Sequence, residues 1–396
     1  MIPYGRQSIS EQDIDAVVAV LKSDFLTQGP CIAQFERALC TYTGARYAIV
    51  VNSATSALHL ACLALGLGPG DLLWTSPISY VASANCALYC GADVDFIDIN
   101  PNDYCIDVDV LEQRLQKADV EGRLPKVIVP VHLAGRPCDM RRIRAVTAAY
   151  GIALIEDASH AIGARYDAGP IGDCRYSDIC IFSFHPVKVM TTGEGGAALC
   201  NNAELAEKMR LLSSHGITRD EGLMTEVSHG PWYYQQLELG YNYRMTDIQA
   251  ALGISQLARL EECIAARRAI VERYITALQD APLQLPPADN ASLCSAHHLF
   301  IVRLKSPAHS KNQRQVFDAL RDAGVGVNVH YIPIYRQPYY QARKSAFLPC
   351  PEAEHYYSEA ISLPIFPALT VGEQHYICAS LQAILSRCQP ERPVPY

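Results

Sequence analysis

The stretch "YAIVVNSATSALHLACLALG" (residues 47–66) runs from five apolar residues through a small polar turn into apolar residues at helical spacing. That order predicts a strand, a tight turn and a helix. The rhythm returns at "LLWTSP" followed by "SYVASANCALYCGA", then at "VDFIDI", "KVIVPVHLAG", "IALIEDASHA" and "ICIFSFH". Short apolar strands separated by helical lengths predict an α/β fold, with a mainly parallel central sheet flanked by helices. Near residue 250 the pattern changes. "YRMTDIQAALGISQLARLEECIAARRAIVERYITALQ" keeps helical spacing over many turns, long enough to link two domains. Short strands such as "HLFIVRL" and "GVNVHYIPIY", and a helix near 313–323, come after it. The expected organisation is a large domain over 1–255 and a smaller α+β C-terminal domain over 256–396.

The totals narrow the class. At 396 residues the chain has room for both domains. Its net charge of −8 argues against a polyanion-binding surface, while leaving room for a local pocket that takes one phosphorylated ligand. Apolar runs are too short to span a membrane, and "MIPYGRQSIS" lacks the basic and apolar regions of an export signal. The fifteen cysteines are scattered, with no CxxC pair and no Cys/His cluster at zinc spacing, so buried reduced thiols and a cytosolic protein are expected. Cys86 and Cys90, four residues apart on an expected helix, read as core thiols.

The chemistry gathers around "FSFHPVKVMTTGEGG" (182–196). Lys188 is one of eight lysines, and it stands among proline, valines and methionine. A lysine in an apolar pocket has a lowered pKa and serves as a nucleophile or Schiff-base amine; a lysine snorkelling from a strand end looks the same in sequence. Asp157 ends the run "IALIED", at the strand end where open α/β sheets place ligand sites. A buried carboxylate there suits a pyridinium nitrogen, the partner pyridoxal phosphate (PLP) needs as an electron sink. A plain turn cap is the other reading. His160 fits either a ring oxygen or the turn. In "NSATS" the residues Ser53, Ala54, Thr55 and Ser56 sit where the first N–H groups of a helix are free to take phosphate. Tyr80, opening the next helix, reads as a ring-stacking or a core residue.

The glycine-rich segments exclude two classes. "GLGPGD" (66–71) follows a helix and precedes a strand, the reverse of a dinucleotide fingerprint, and reads as a helix stop. "TTGEGG" lacks the Gly-Lys-Ser/Thr ending of a P-loop, and its glycines read as clearance beside a bound cofactor. A nicotinamide-dependent dehydrogenase is thereby disfavoured. The absence of a basic helix-turn-helix segment disfavours a DNA-binding regulator.

Together, "FSFHPVKVMTTGEGGA", "EDASHAIGA", "NSATSAL", "FLTQGP" and "NYRMTDIQAALG" resemble the DegT/DnrJ/EryC1/StrS family of PLP-dependent nucleotide-sugar aminotransferases, over essentially the whole chain. The resemblance implies a fold-type-I PLP enzyme. It implies that Lys188 forms the internal Schiff base and moves protons at the substrate carbon, with Asp157 on the pyridine nitrogen and His160 near the ring hydroxyl. Ala54, Thr55 and Ser183 would hold the phosphate, Tyr80 would stack on the ring, and Asn242 would reach the phosphate in the neighbouring subunit of an obligate homodimer. Tyr4, Asp24, Phe25, Leu26, Thr27, His330 and Tyr331 match segments that contact the nucleotide sugar. "SDFLTQGP", "GITRD", "GPWYYQQLELGYNYRMTDIQAALG" and "VNVHYIPIY" are most similar to the branch that aminates C4 of a UDP-linked 4-keto-6-deoxy-N-acetylhexosamine for pseudaminic acid, with L-glutamate as donor. No metal is implied. Some relatives carry histidine at the lysine position and act as dehydrases; Lys188 favours amino transfer. Another UDP- or dTDP-keto-sugar, or a PLP-binding regulator without turnover, stays open.

Overall fold

The computed structural model describes residues 1–305, 313–343 and 347–387. Its centre is a seven-stranded sheet made of β1 (Tyr47–Val51), β2 (Leu72–Thr75), β3 (Asp93–Phe96), β4 (Val127–Val129), β5 (Ala153–Asp157), β8 (Ile179–Ser183) and β9 (Gly196–Cys200). Two small strands, β6 (Arg165–Tyr166) and β7 (Gly169–Pro170), lie outside it. The order is β1-β9-β8-β5-β4-β2-β3, and neighbours from β8 to β3 run parallel. β9 pairs antiparallel with both β1 and β8. The mainly parallel sheet is therefore present, with one reversed strand that the sequence reading passed over. That strand reads "GAALC", without the β-branched residues that mark its neighbours.

Side chains alternate across the sheet, and both faces are buried. From β1, Ile49 and Val51 enter one core with Leu58 and Leu60 of α3 (Ala54–Ala64), while Ala48 and Val50 enter another with Phe35 and Leu39 of α2 (Pro30–Thr43). From β8, Ile179 and Ile181 face the first core and Cys180 and Phe182 the second. Burial on both faces explains why these strands read as continuous apolar runs. α4 (Ala82–Tyr89) and α7 (Ala203–Ser213) complete the α3 side. Under the far end of the sheet, α5 (Val108–Val120) and α6 (Met140–Ala148) pack Leu111, Leu115 and Ile143 against Trp74, Ile128 and Leu154.

The long helical pattern divides at Arg259 into α8 (Asp247–Ala258) and α9 (Leu260–Leu278). α8 begins with a capping box in which Thr246 and Gln249 exchange hydrogen bonds, a device that contributes about 1 kcal/mol. Beyond α9 lie β10 (Leu283–Gln284), β11 (Phe300–Leu304) and β12 (Ala360–Leu363), which form a three-stranded antiparallel sheet. Phe300, Val302 and Leu304 pack with Ile270 and Tyr274 of α9, with Leu320 of the helix Gln313–Asp322 and with Leu381 of Val371–Arg387. Leu299 and Ile301 face the core of the large sheet instead, so this layer is tied to the first. Ile2 also packs in the C-terminal core, beside Val325. The expected strand at "GVNVHYIPIY" is absent as a regular element: Asn328 makes an isolated bridge to Ser362, and Ile334–Arg336 is a short 3-10 turn. Its one proline, Pro333, has no N–H to give a ladder, and its one glycine, Gly326, weakens the strand start.

Candidate active site

A cavity of about 840 Å³ opens at the carboxyl ends of β1, β5 and β8. Asn52 to Ser56, Ser79, Tyr80, Asp157, His160, Ser183 and Lys188 form its floor and near wall. Tyr4, His298 and the run Asn328 to Tyr331 face them from the C-terminal layer. Strand ends and the layer above them thus meet where an open α/β sheet holds its ligands.

The turn after β1 is built by serines. Ser53 is extended, at φ −165° and ψ 158°, and its hydroxyl accepts the Ser56 N–H at 3.1 Å. Ser56 Oγ donates to Asn52 Oδ1 at 2.7 Å. With Ser53 as cap, Ala54 and Thr55 open α3, and their N–H groups belong to the unpaired first turn that suits a phosphate. Gly196 presses on this turn from β9: a Cβ there would lie 2.4 Å from Ala54 N. Gly195 similarly meets Thr192 and Met245. Of the glycines read as clearance for a cofactor, Gly196 thus makes room for the protein's own backbone, while Gly195 lines the cavity. Gly196→Ala is expected to push the turn aside at an overpacking cost of about 1–3 kcal/mol. PLP affinity of the apoprotein, measured by fluorescence titration, should weaken at least about tenfold, equivalent to about 1.4 kcal/mol.

Asp157 ends β5 and is 4% exposed. Its Oδ2 accepts the Ser83 hydroxyl at 2.6 Å, and its Oδ1 accepts the Ser159 N–H at 3.1 Å. Ser83 belongs to the first turn of α4 and was missed in the sequence. Its only signal is its place, three residues after Tyr80, in a helix of small residues. Lys188 lies in a loop closed at its base by Phe184 N–H to Gly195 O at 2.9 Å. Burial draws its amine down to about 8, opposed by the attraction of Asp157. The neutral amine therefore grows as pH rises through about 8. The rate at which Lys188 captures an aldehyde, followed by stopped-flow absorbance, is expected to rise between pH 7 and 9 and then level off.

Three imidazoles surround the lysine. His160 Nδ1 accepts the Ala134 N–H at 3.3 Å, which places its proton on Nε2, 3.1 Å from Tyr331 Oη. Its ring lies 4.4 Å from that of His298, centroid to centroid. Burial, reinforced by Lys188, keeps both rings uncharged, and it lowers His330 to about 4. His330 Nδ1 bonds Ser362 Oγ at 2.8 Å, and its ring lies 5.5 Å from that of Tyr4. Buried Arg267 fixes the far wall by donating to the carbonyls of His297, His298 and Ile365. His298, Asn328, Glu194 and Gln249 also line the cavity, and the sequence reading had not singled them out. Burial raises the Tyr331 hydroxyl pKa, so it keeps its proton; having accepted from His160, it can donate into the cavity. Tyr80 stands two residues before α4, 62% exposed, with its ring 6.5 Å from that of Tyr331.

The other expected residues lie elsewhere. Asp24, Phe25, Leu26 and Thr27 form an exposed segment after α1 (Glu11–Leu21) and do not line this cavity. Leu26 O accepts the Asp247 N–H at 3.0 Å, and Thr27 bridges to Thr246. Asn242 is also exposed and outside the cavity wall; its carbonyl accepts Asn52 Nδ2 at 3.4 Å.

An anion-ready helix start, a buried carboxylate and a partly neutral amine share one cavity, a set suited to covalent carbonyl chemistry. The profile of the DegT/DnrJ/EryC1/StrS aminotransferase family matches residues 7–382. The chain belongs to this family. A member from Campylobacter jejuni, named UDP-4-amino-4,6-dideoxy-N-acetyl-beta-L-altrosamine transaminase, is 38% identical over 98% of each chain. Among solved structures, Spr1654 from Streptococcus pneumoniae in its PMP form superposes with a TM-score of 0.90 at 30% identity, over 98% of this chain and 100% of the other. Helicobacter pylori PseC, an aminotransferase of pseudaminic acid biosynthesis, superposes at 0.88 and 30% identity, over 98% and 99%. Family membership makes the protein an aminotransferase of fold type I, and its mainly parallel sheet with flanking helices agrees with that fold.

Proposed function

We propose that this protein is a PLP-dependent aminotransferase that carries an amino group from L-glutamate to C4 of a UDP-linked 4-keto-6-deoxy-N-acetylhexosamine of L-altro type, as in pseudaminic acid biosynthesis. The observation that carries the reading is the placement of Lys188 and Asp157 in one cavity with the start of α3. The names of the Campylobacter relative and of PseC support the sugar, and the PLP form of Spr1654 supports the cofactor.

The residues present fit PLP. Asp157 offers a buried carboxylate for a pyridinium nitrogen, Ala54 and Thr55 offer N–H groups for a phosphate with Ser183 beside them, and Lys188 offers an amine for an aldehyde. Bound there, PLP supplies an electron sink that stabilises charge on the carbon being aminated. The rest is the work of the chain. Asp157 keeps its charge partner protonated, and Ser83 with Ser159 fixes the carboxylate's direction. Lys188, partly neutral at working pH because burial draws its amine down to about 8, would take and return the proton at the substrate carbon. His160 and Tyr331 hold hydroxyl-level hydrogen bonds without adding charge. Tyr80 would flank the ring, and Tyr4, His330 and Tyr331, which line the same cavity, would face the sugar.

Asn242 and the segment Asp24 to Thr27 act across a homodimer interface, where Asn242 reaches the partner's cofactor phosphate. The exposure of Phe25, Leu26, Trp232 and Leu239 supports such an interface. The division into domains at 255/256 and a cytoplasmic location belong to the same proposal; among the described residues no helix is long and apolar enough to cross a membrane. The test is turnover of UDP- and dTDP-linked keto-sugars with glutamate. Turnover of the UDP-4-keto-6-deoxy-L-altro sugar is expected, and its absence, with activity on another keto-sugar, would replace the substrate assignment.

A further inference from the structure

We propose that Arg267 is a positioning residue for the sugar side of the cavity: from α9, behind the cavity wall, it sets the aim of His160, Tyr331 and Tyr4. Arg267 is 1% exposed and does not itself line the cavity. Its partners are the carbonyl oxygens of His297 at 3.3 Å and of His298 and Ile365 at 3.2 Å each. Among the described residues no carboxylate pairs with it. Burial lowers its pKa to about 10, so it stays protonated at neutral pH. A buried cation without a counter-charge is costly, and an apolar side chain would fill the same space at less cost. What the arginine adds is its hold on three carbonyls. Tyr274, seven residues on and on the same face of α9, donates to Pro364 O at 2.9 Å.

Both held segments lead to cavity residues. Ile365 N–H donates to Tyr4 O at 3.0 Å, and the Tyr4 ring lies 5.5 Å from that of His330. The His298 ring lies 4.4 Å from that of His160, at an angle of 45°. Its Nδ1 is buried without a hydrogen-bond partner, so this ring serves His160 by contact.

The turn Leu133–Gly135 closes the arrangement from the other side. His298 N–H donates to Ala134 O at 2.8 Å, Ala296 N–H to Gly135 O at 3.0 Å, and Ala134 N–H to His160 Nδ1 at 3.3 Å. Ala134 is left-handed, at φ 60° and ψ 7°, a conformation that a residue other than glycine keeps only where its surroundings demand it. Gly135 has φ +94°, and a Cβ there would lie 2.9 Å from His160 O and 3.1 Å from His298 N. Glycine is what lets the two segments approach this closely. The turn thus fixes one edge of the His160 ring and His298 one face, which leaves Nε2 aimed at Tyr331 Oη, 3.1 Å away. Without Arg267 the His298 segment loses its far anchor, and His160 is free to tilt. The cofactor floor is held separately, by Ser83 and Ser159 on Asp157 and by Ser53 at the start of α3.

Resting on the proposed function, in which Tyr4 and Tyr331 face the sugar, the expected result is a split between sugar and cofactor. In full-length Arg267→Met, KM for the keto-sugar should rise at least about tenfold, the worth of one well-aimed hydrogen bond. PLP affinity of the apoprotein, by fluorescence titration, should stay at the wild-type value. Arg267→Lys, whose ammonium offers three donors to the three carbonyls, should restore most of the sugar affinity. In proton NMR of the apoprotein, the wild type should show a downfield imidazole N–H, assigned to His160 by its absence in His160→Asn, and Arg267→Met should lose it. His298→Ala should lose the same signal and His298→Phe keep it, which tests the link even where Arg267→Met does not fold. A wild-type His160 signal in Arg267→Met or in His298→Ala would overturn the proposal, as would a PLP affinity that falls in step with that for the sugar. The NMR signal is read without substrate, so it decides the role of Arg267 even if another sugar proves to be the one aminated.

Discussion

Replacing Lys188 by alanine is expected to lower transaminase turnover by at least about a thousandfold, since proton transfer by a positioned group alone contributes about 10²–10⁴. Removing the amine deletes both the group that captures the aldehyde and the base that moves the proton. The rest of the cavity survives the change, because Asp157 is held by Ser83 and Ser159 and the α3 start by Ser53, none of which bonds Lys188. The variant should therefore still bind PLP, reversibly. Lys188→Arg should not rescue it, because a guanidinium stays protonated where this amine titrates near 8. Turnover close to that of the wild type in the alanine variant would remove Lys188 from the mechanism.

The second large effect is expected at Asp157. Asp157→Asn keeps the shape and the Ser159 N–H bond but removes the negative charge 4% exposed at the end of β5. Breaking a buried charge pair by removing one partner costs about 3–5 kcal/mol, so turnover should fall by about two to four orders of magnitude. Capture of PLP by Lys188 should persist, which separates this variant from Lys188→Ala in an absorption spectrum. Ser83→Ala leaves the charge in place and frees its direction, and it should cost about tenfold, the worth of one hydrogen bond to a charged group. A larger loss from Ser83→Ala than from Asp157→Asn would show that the carboxylate is not the acting group.

Much of the site was legible because its parts are local. The turn "NSATS" states its own cap, and Asp157 and Lys188 stand out against apolar surroundings at strand ends. Strands such as β1, β4 and β8 read easily because burial on both faces leaves continuous apolar runs. β9 escaped because its glycine and alanines carry no strand signal, Gly196 being the residue that lets β9 approach the Ser53–Ala54 turn. His298 and Ser83 escaped for another reason. Each acts through a partner far away in sequence: His298 against His160, and Ser83 against Asp157. No spacing within the chain encodes such a pair.

The most direct measurement is borohydride reduction of the PLP-loaded protein followed by peptide mapping. Eight lysines compete for the cofactor, and one is drawn out of water beside Asp157. Reduction is expected to fix the cofactor on Lys188 alone. Prior incubation with glutamate should abolish that fixation, because the aldehyde has by then been spent on the donor's nitrogen. Fixation on another lysine, or fixation at Lys188 that glutamate leaves unchanged, would contradict an aminotransferase built around this residue.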